Sequence, residues 1–192
     1  TTDSNTGIGY NTLTGSSFST AGSALNNVAL GKNTLANANS AFTWSNIAIG
    51  NNVLKNATDP RYNTAIGDNS QSSLTTGRNN VSLGVSTLAN ATTGGLDTPI
   101  GGSSMGITTG AANNALGLST LSALTTGHAN IALGQLSGSN LVNGSYNTII
   151  GNYNNILFNP NGNQQLNIGD LIYGTGLSTG VYAVVAGTTS YS

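Results

Sequence analysis

Residues 79–94 read NNVSLGVSTLANATTG, and residues 62–77, in the same register before them, read YNTAIGDNSQSSLTTG. Both stretches place an Asn, a small residue, a large aliphatic residue and a Gly in one fixed order, and both close on Thr-Thr-Gly. The pattern returns about nine times along the chain, so an internal repeat governs its architecture.

Each copy of the repeat contains one glycine at the same place. The unit reads Asn-x-small-(Ile/Leu)-Gly-x-x-(Thr/Ser)-Leu, and we number its positions from the Asn as position 1. Position 5 is Gly9, Gly31, Gly50, Gly67, Gly84, Gly101, Gly117, Gly134 and Gly151. Glycine suits a corner with positive φ or a close approach of two backbones. We therefore predict one turn glycine in each coil of a repetitive fold.

Positions 3 and 4 of the unit differ in size. Position 4 is always large and aliphatic: Ile8, Leu30, Ile49, Ile66, Leu83, Ile100, Leu116, Leu133 and Ile150. Position 3 is almost always small, most often Ala. Because successive side chains of a strand point to opposite faces, one face is predicted to fill the structural core with the position-4 column. The small face is then predicted to lie against a neighbouring chain.

Short strands separated by Gly and Asn are typical of stacked coils. The predicted fold class is all-β, a β-solenoid or β-roll of about nine coils of roughly 17 residues over residues 1–156. Position 9 supplies a second apolar column, at Leu13, Leu35, Leu54, Leu88, Met105 and Leu121. Residues 157–192 are predicted to form a non-repetitive β cap or connector, with a degenerate tenth copy at residues 166–169. A single thin roll buries little apolar surface, so an intertwined or side-by-side homotrimer is predicted.

The Asn at position 1 has a structural role in this interpretation. Stacked coils would align these side chains into an Asn ladder, with each amide bonding to the coils above and below it. The predicted ladder contains Asn27, Asn46, Asn63, Asn80, Asn130 and Asn147. A turn residue that tolerates the left-handed conformation is a second reading, and both can hold together.

The repeat carries a family likeness. NVALG, NIAIG, NTAIG and NIALG resemble the head repeats of trimeric autotransporter adhesins, and the longer pattern NTAIG…LTTG…N looks like the repeats of phage tail-fibre proteins. The segment LNIGDLIYGTG at residues 166–176 resembles one that follows such repeats in tail fibres. The resemblance covers roughly residues 5–156 and implies a trimeric β-roll, exposed on a virion or cell surface, that holds or presents a receptor-binding element.

The composition includes few residues of the types that act in catalysis. Charged residues make up 5% of the chain, and there is one His and no Cys. His128 has no metal-ligating partners in the sequence, and Asp97 takes the place of a unit-start Asn and is expected to do the same turn work. No catalytic residue, metal site or cofactor is predicted, so the chain is expected not to be an enzyme. An ion shared by symmetry copies of Asp68 or Asp97 stays open.

The partners are constrained by charge and hydropathy. A formal net charge of −1 and scattered cations give no electrostatic field that would attract nucleic acid. The sequence has no apolar run long enough to span a bilayer, so membrane insertion is not predicted. The irregular first coils insert aromatic and charged residues, and loops on a rigid scaffold often carry binding. Phe42, Trp44, Arg61 and Tyr62 are the predicted receptor contacts. The other reading, that Phe18, Phe42 and Trp44 fill gaps between chains, stays open.

These features indicate a structural, non-enzymatic segment of a phage tail fibre, located in the virion. Its expected partners are copies of itself, other fibre segments and a host cell-surface glycan or protein. A bacterial trimeric adhesin head or an extracellular filament subunit, on the cell surface or outside it, is the first alternative. Ice binding through aligned Thr-Thr-Gly turns is a further alternative.

Overall fold

A computed structural model describes residues 4–19, 24–39, 42–107, 109–152 and 159–169, and the backbone of residues 172–175 and 183–186. The described chain is an all-β, parallel β-solenoid of about eight turns. Its single 3-10 helix in these ranges is Ser16–Ser19. The strands are β1 (Thr6–Ile8), β2 (Ala24–Leu25), β3 (Val28–Leu30), β4 (Thr43–Trp44), β5 (Ile47–Ile49), β6 (Thr64–Ile66), β7 (Val81–Leu83), β8 (Thr98–Ile100), β9 (Asn114–Leu116), β10 (Ile131–Leu133), β11 (Thr148–Ile150), β12 (Leu166–Ile168), β13 (Ile172–Thr175) and β14 (Ala183–Ala186).

One long sheet runs the length of the stack. It joins β1, β3 and β5 to β12 as parallel neighbours in that order, while β2 and β4 pair in a separate two-stranded sheet. Equivalent repeat positions face each other, as Ala48 faces Ala65. Strand β12 pairs in the same register with β11, which confirms the tenth copy of the repeat. Two antiparallel strands, β13 and β14, continue the sheet.

The prediction that the position-4 side chains fill the core is wrong. Leu133 is 42% exposed and Ile8 is 62% exposed, and the other members of the column are exposed or half-buried on the outer face of the long sheet. The column consists of Ile8, Leu30, Ile49, Ile66, Leu83, Ile100, Leu116, Leu133 and Ile150. The small position-3 side chains are buried inside their own coil, as at Ala48 and Ala65, and so do not lie against a neighbouring chain.

The reason for this reversal is the narrow interior of each coil. The position-9 side chains enter the interior from the side opposite the strand, and Leu35, Leu54 and Leu121 are fully buried there. Only a small side chain fits between them and the strand: a methyl group on Gly7 would lie 2.8 Å from Leu13 Cδ1. The predicted second apolar column is therefore confirmed, and burial of each leucine contributes about 1.5–3 kcal/mol.

The predicted turn glycines are confirmed. Gly67 has φ = 124°, and the other eight have φ between 121° and 147°, a region that side-chain-bearing residues rarely adopt. A methyl group on Gly67 would lie 2.4 Å from the carbonyl oxygen of Gly84 in the next coil. Both predicted reasons for glycine, the unusual φ and the close backbone approach, apply at this corner.

The Asn ladder is confirmed, and its six predicted members are fully buried. Asn46 Oδ1 accepts hydrogen bonds from Asn63 N at 3.1 Å and Asn63 Nδ2 at 3.3 Å. Asn63 Nδ2 also donates to Gly77 O at 2.9 Å. The predicted members Asn27, Asn46, Asn63, Asn80, Asn130 and Asn147 all belong to it, and the structure adds Asn5, Asp97, Asn113 and, through its backbone N–H, Gln165. Each rung therefore pairs the buried polar groups of adjacent coils.

Candidate functional site

The structure brings three of the four predicted receptor contacts into one cluster at the irregular end of the stack. The rings of Phe42 and Trp44 meet edge to face, with 5.3 Å between their centroids. The Arg61 guanidinium carbon lies 4.7 Å from the Phe42 ring centroid and 5.4 Å from that of Trp44. Strand pairing builds this arrangement, because Trp44 and Arg61 form a parallel bridge between consecutive coils. A cation over aromatic rings gains about 0.5–2 kcal/mol.

A single carboxylate anchors the cluster. Asp59 Oδ2 accepts from Arg61 Nη2 at 3.0 Å and from Arg78 Nη2 at 2.9 Å, and Asp59 Oδ1 accepts from Arg61 Nε at 3.1 Å. The Arg61 side chain is 17% exposed, whereas that of Arg78 is 46% exposed. Arg61 is therefore held in place, and Arg78 presents its guanidinium to solvent. Two cations against one anion leave the cluster with a net positive charge.

The remaining aromatic residues divide between surface and interior. Tyr62 directly follows Arg61 but is 51% exposed, and its backbone N–H donates to Trp44 O at 2.9 Å. Phe42 is 46% exposed. Phe18 is half-buried and packs against the apolar core. Phe18 therefore fills space within its own chain, while Phe42 and Tyr62 keep ring surface available.

A second candidate site is the outer apolar face, formed by the outward side chains of the long sheet and its two flanking positions. It includes Val28, Leu30, Ile47, Val81, Leu83, Val85, Leu96, Leu116, Leu118, Ile131, Leu133 and Tyr146, which are all exposed. Strands β8, β9 and β10 form a shallow groove of about 250 Å³ on this face, lined by Ile100, Leu116, Ile131 and Leu133 among others. Soluble monomers rarely expose a contiguous apolar patch of more than a few hundred Å². This face is therefore a candidate surface for association.

The other titratable residues named from the sequence take no part in the ion pairs of Asp59 with Arg61 and Arg78. Asp68 is exposed and accepts a hydrogen bond from Asn51 N at 2.8 Å. His128 is exposed, with its ring centroid 6.4 Å from that of Tyr146. Asp97 is fully buried inside its coil, so it is not on an outer face that symmetry copies could share. In the part of the chain that the structure describes, no three His, Asp, Glu or Cys side chains cluster as metal ligands.

Sequence reasoning missed the pairing of Asp59 with Arg78. The cations appeared scattered along the sequence, yet Arg78 follows Arg61 by one repeat length and pairs with it as a parallel bridge. Projecting each charged residue onto the repeat would have placed both arginines in one column. The repeat length was therefore the missing signal.

Comparisons with known proteins leave the fold as the basis for classification. No family model, curated protein or solved structure matches the chain. Among the described residues no helix is long and apolar enough to cross a membrane. The class that the structure defines is a parallel β-solenoid with one apolar outer face.

Proposed function

We propose that the chain is a structural, non-enzymatic segment of a phage tail fibre, assembled as a homotrimer and presenting a host-receptor-binding element. The observation that carries the proposal is the outer apolar face, which extends along the stacked coils. Each of its large side chains leaves roughly 80–100 Å² uncovered, so the whole face exceeds ~1,000 Å². A standard interface buries ~800 Å² on each partner, so the face is large enough to be covered by a sister chain.

The repeated coils suit the role of a rod. Every coil bonds to the next through backbone groups on the strand and at the turns, as in Gly67 N to Ile49 O at 2.9 Å and Asn69 N to Asn51 O at 2.8 Å. Strands in adjacent coils lie about 4.8 Å apart, so length grows with each added coil. The likeness of the NTAIG-type repeats to those of tail fibres supports this owner and a three-chain assembly. In that setting the segment belongs to the virion and joins other fibre segments.

The oligomer is tested by mass. Analytical ultracentrifugation of the purified chain is expected to give three times the chain mass of 19.2 kDa. Replacing Leu83, Leu116 and Leu133 together by Asn should yield a folded monomer, since about 2 kcal/mol of apolar burial per side chain is lost. A matched triple change to Asn at the exposed turn residues Thr76, Thr93 and Thr126 should leave the mass unchanged. A wild-type monomer at micromolar concentration would refute the trimer.

The cluster at the irregular end supplies the proposed receptor contact. Phe42 and Tyr62 keep about half of their surface exposed, and Arg61 and Arg78 add positive charge beside them. Aromatic rings with polar neighbours suit the stacking and hydrogen bonding of a sugar at a wet surface. We propose a host cell-surface glycan as the ligand, with a surface protein as the alternative.

The chain contains one tryptophan, and Trp44 lies in this cluster. Its fluorescence therefore reports on glycans added to the purified protein. Changing Phe42 or Tyr62 to Ala should weaken the response of a binding glycan about tenfold or more. Thr93→Ala is the control, since Thr93 is an exposed turn residue outside both the cluster and the apolar face. Equal effects of the Tyr62 and Thr93 variants would argue against the cluster.

A bacterial trimeric adhesin head or extracellular filament subunit uses the same physical design. The same apolar face and the same repeat likeness support it. The flanking segments of the parent protein separate the two owners: a virion-attachment domain indicates a phage, and a membrane anchor with a coiled-coil stalk indicates a bacterium.

Ice binding gains one supporting observation, because Thr-Thr pairs stack in register in neighbouring coils, as Thr75 and Thr92 do. The inner hydroxyls of this array are used within the stack, however: Thr75 Oγ1 donates to Thr92 O at 2.8 Å, and Thr125 Oγ1 donates to Val142 O at 3.0 Å. One exposed Thr per coil then remains for ice. Thermal hysteresis of the purified chain would favour this alternative over the fibre.

A further inference from the structure

The Asn ladder has one rung with a different chemistry. At a regular rung such as Asn130, Oδ1 accepts from the backbone N and Nδ2 of Asn147, at 2.9 and 3.0 Å. Asn130 Nδ2 donates to Gly144 O at 2.9 Å. The side-chain oxygen thus accepts from the Asn of the next coil, and the side-chain nitrogen donates to a turn carbonyl. Asp97 stands at the equivalent place and is fully buried.

One carboxylate oxygen of Asp97 does the work of an amide oxygen. Asp97 Oδ1 accepts from Asn113 N at 2.8 Å and from Asn113 Nδ2 at 3.0 Å. The other oxygen, Oδ2, is buried without a hydrogen-bond partner. The expectation that Asp97 does the same work as Asn therefore holds for one of its two oxygens.

The unpartnered oxygen stands where the other rungs have a donor. A methyl group built on Gly94 would lie 2.4 Å from Gly110 O and 3.1 Å from Asp97 Oδ2. At the equivalent turn, a methyl group on Gly127 would lie 2.1 Å from Gly144 O and 3.1 Å from Asn130 Nδ2. Asp97 Oδ2 is therefore directed toward the Gly110 carbonyl oxygen, so that two acceptors face each other.

The protonation state of Asp97 determines whether this contact can form. A neutral carboxylic acid donates its O–H to the Gly110 carbonyl and completes the ladder, whereas a carboxylate has nothing to donate. Asn80, Asn113 and the turn at Gly94, which contact Asp97, carry no charge that could compensate it. Burial raises the pKa of Asp97 to about 6. Ionisation in the folded coil is therefore costly near neutral pH.

The same coil, residues 97–112, is weakened in two other places. Pro99 has no N–H to donate within β8, and β7 and β8 retain one register pair, Leu83 with Ile100, where β8 and β9 retain three. Ser104 Oγ is buried without a partner, whereas the equivalent Thr120 donates to Gly134 O at 3.0 Å. A loss of bonding at Asp97 would therefore fall on the part of the stack that already has fewer bonds.

We propose that Asp97 makes the coil of residues 97–112 a pH-controlled joint in the rod. The joint is closed when the side chain is a neutral acid and loosened when it is a carboxylate. A local opening that frees the side chain returns its pKa to the ordinary value near 3.9. The opening constant is therefore at its lowest below pH 4, rises as the pH increases, and levels off above pH 6, about 100-fold higher.

Native-state hydrogen exchange tests the joint, with rates corrected for the intrinsic effect of pH. Between pH 4 and pH 7 the opening constant of amides in residues 97–113 of the wild type should rise roughly 50-fold. Amides of residues 130–147 should show no such rise. In Asp97→Asn, which restores the regular amide, the rise should disappear.

A transplant makes the test independent of that one variant. Asn130→Asp places an acid at a regular rung, and the pH-dependent opening should then appear in residues 130–147. The proposal is refuted if the opening constants of wild type and Asp97→Asn have the same pH dependence. It is also refuted if Asn130→Asp shows no pH-dependent opening in its own coil. The proposal does not depend on the trimer or the receptor, because the measurement is local to one chain.

Discussion

Gly138 is small at position 9 and Ile149 is large at position 3, the reverse of the sizes found at these positions in other coils. Changing Gly138 to Leu and Ile149 to Ala tests how the interior of a coil is filled. In several other coils position 9 is Leu and position 3 of the next coil is Ala, as at Leu121 and Ala132. Here Gly138 replaces the Leu and Ile149 replaces the Ala. A methyl group on Gly138 would lie 2.6 Å from Ile149 Cδ1 and 2.9 Å from Leu121 Cδ2. The Ile side chain therefore occupies the space that a Leu fills elsewhere.

The structure gives a size to each step. Ile149→Ala leaves a cavity in a fully buried site and should cost about 3–4 kcal/mol. Gly138→Leu forces the new side chain into Ile149 and should cost roughly 3 kcal/mol. The double variant restores the Leu–Ala pair and should lie within ~1 kcal/mol of the wild type. The backbone allows this, because Gly138 has φ = 61° and Leu121 already adopts φ = 52°.

Urea unfolding of the four proteins, followed by circular dichroism, measures the coupling. The two changes should rescue each other by about 5 kcal/mol. As a control, Ile149→Ala combined with Leu54→Ala, in a distant coil, should show additive losses. The volume argument is refuted if the Gly138→Leu and Ile149→Ala losses also add.

Three further predictions concern the corners and the ladder. Gly67→Ala should lower the free energy of unfolding by at least ~3 kcal/mol, because the new Cβ would meet the backbone of the next coil. Gly169→Ala should lower it by about 1–2 kcal/mol, because nothing lies within 4 Å of that Cβ. Asn63→Ala strips several buried hydrogen bonds and should cost ~2–4 kcal/mol, whereas the exposed Asn56→Ala should change stability by less than ~0.5 kcal/mol. Equal losses within either pair would contradict these assignments. The raised pKa of Asp97, about 6, means that its contribution to stability is present below pH 4 and is lost as the pH rises through 6. At pH 7.5 Asp97→Asn should therefore unfold at a higher urea concentration than wild type, with a free energy of unfolding greater by up to about 3 kcal/mol. At pH 4 the two proteins should differ little.

The corner glycines and the Asn ladder could be predicted from the sequence because both depend on identical neighbours. Gly67 must be glycine because Gly84 lies directly against it in the next coil, and Asn63 bonds to a copy of itself at Asn46. Such requirements repeat at every coil and so appear as columns in the sequence.

The receptor-contact cluster was predictable only in part. Phe42 and Trp44 are neighbours in sequence, so their common location followed directly. Asp59 joins Arg61 to Arg78 only because successive coils stack in register. Any charge network that spans coils requires the fold, or at least the repeat length, before it can be recognised.

The sequence by itself determined the period, the short strands, the corner glycines and the polar ladder, because each is written into every copy. Only the tertiary structure decided which strand face is interior. Alternation places Ala65 and Ile66 on opposite faces, but it does not say which face the coil closes around. Leucines from the opposite wall fill most of the coil and leave room only for a small side chain, so the larger side chains lie outside. The exchange of Gly138 with Ile149 shows that this limit is one of volume.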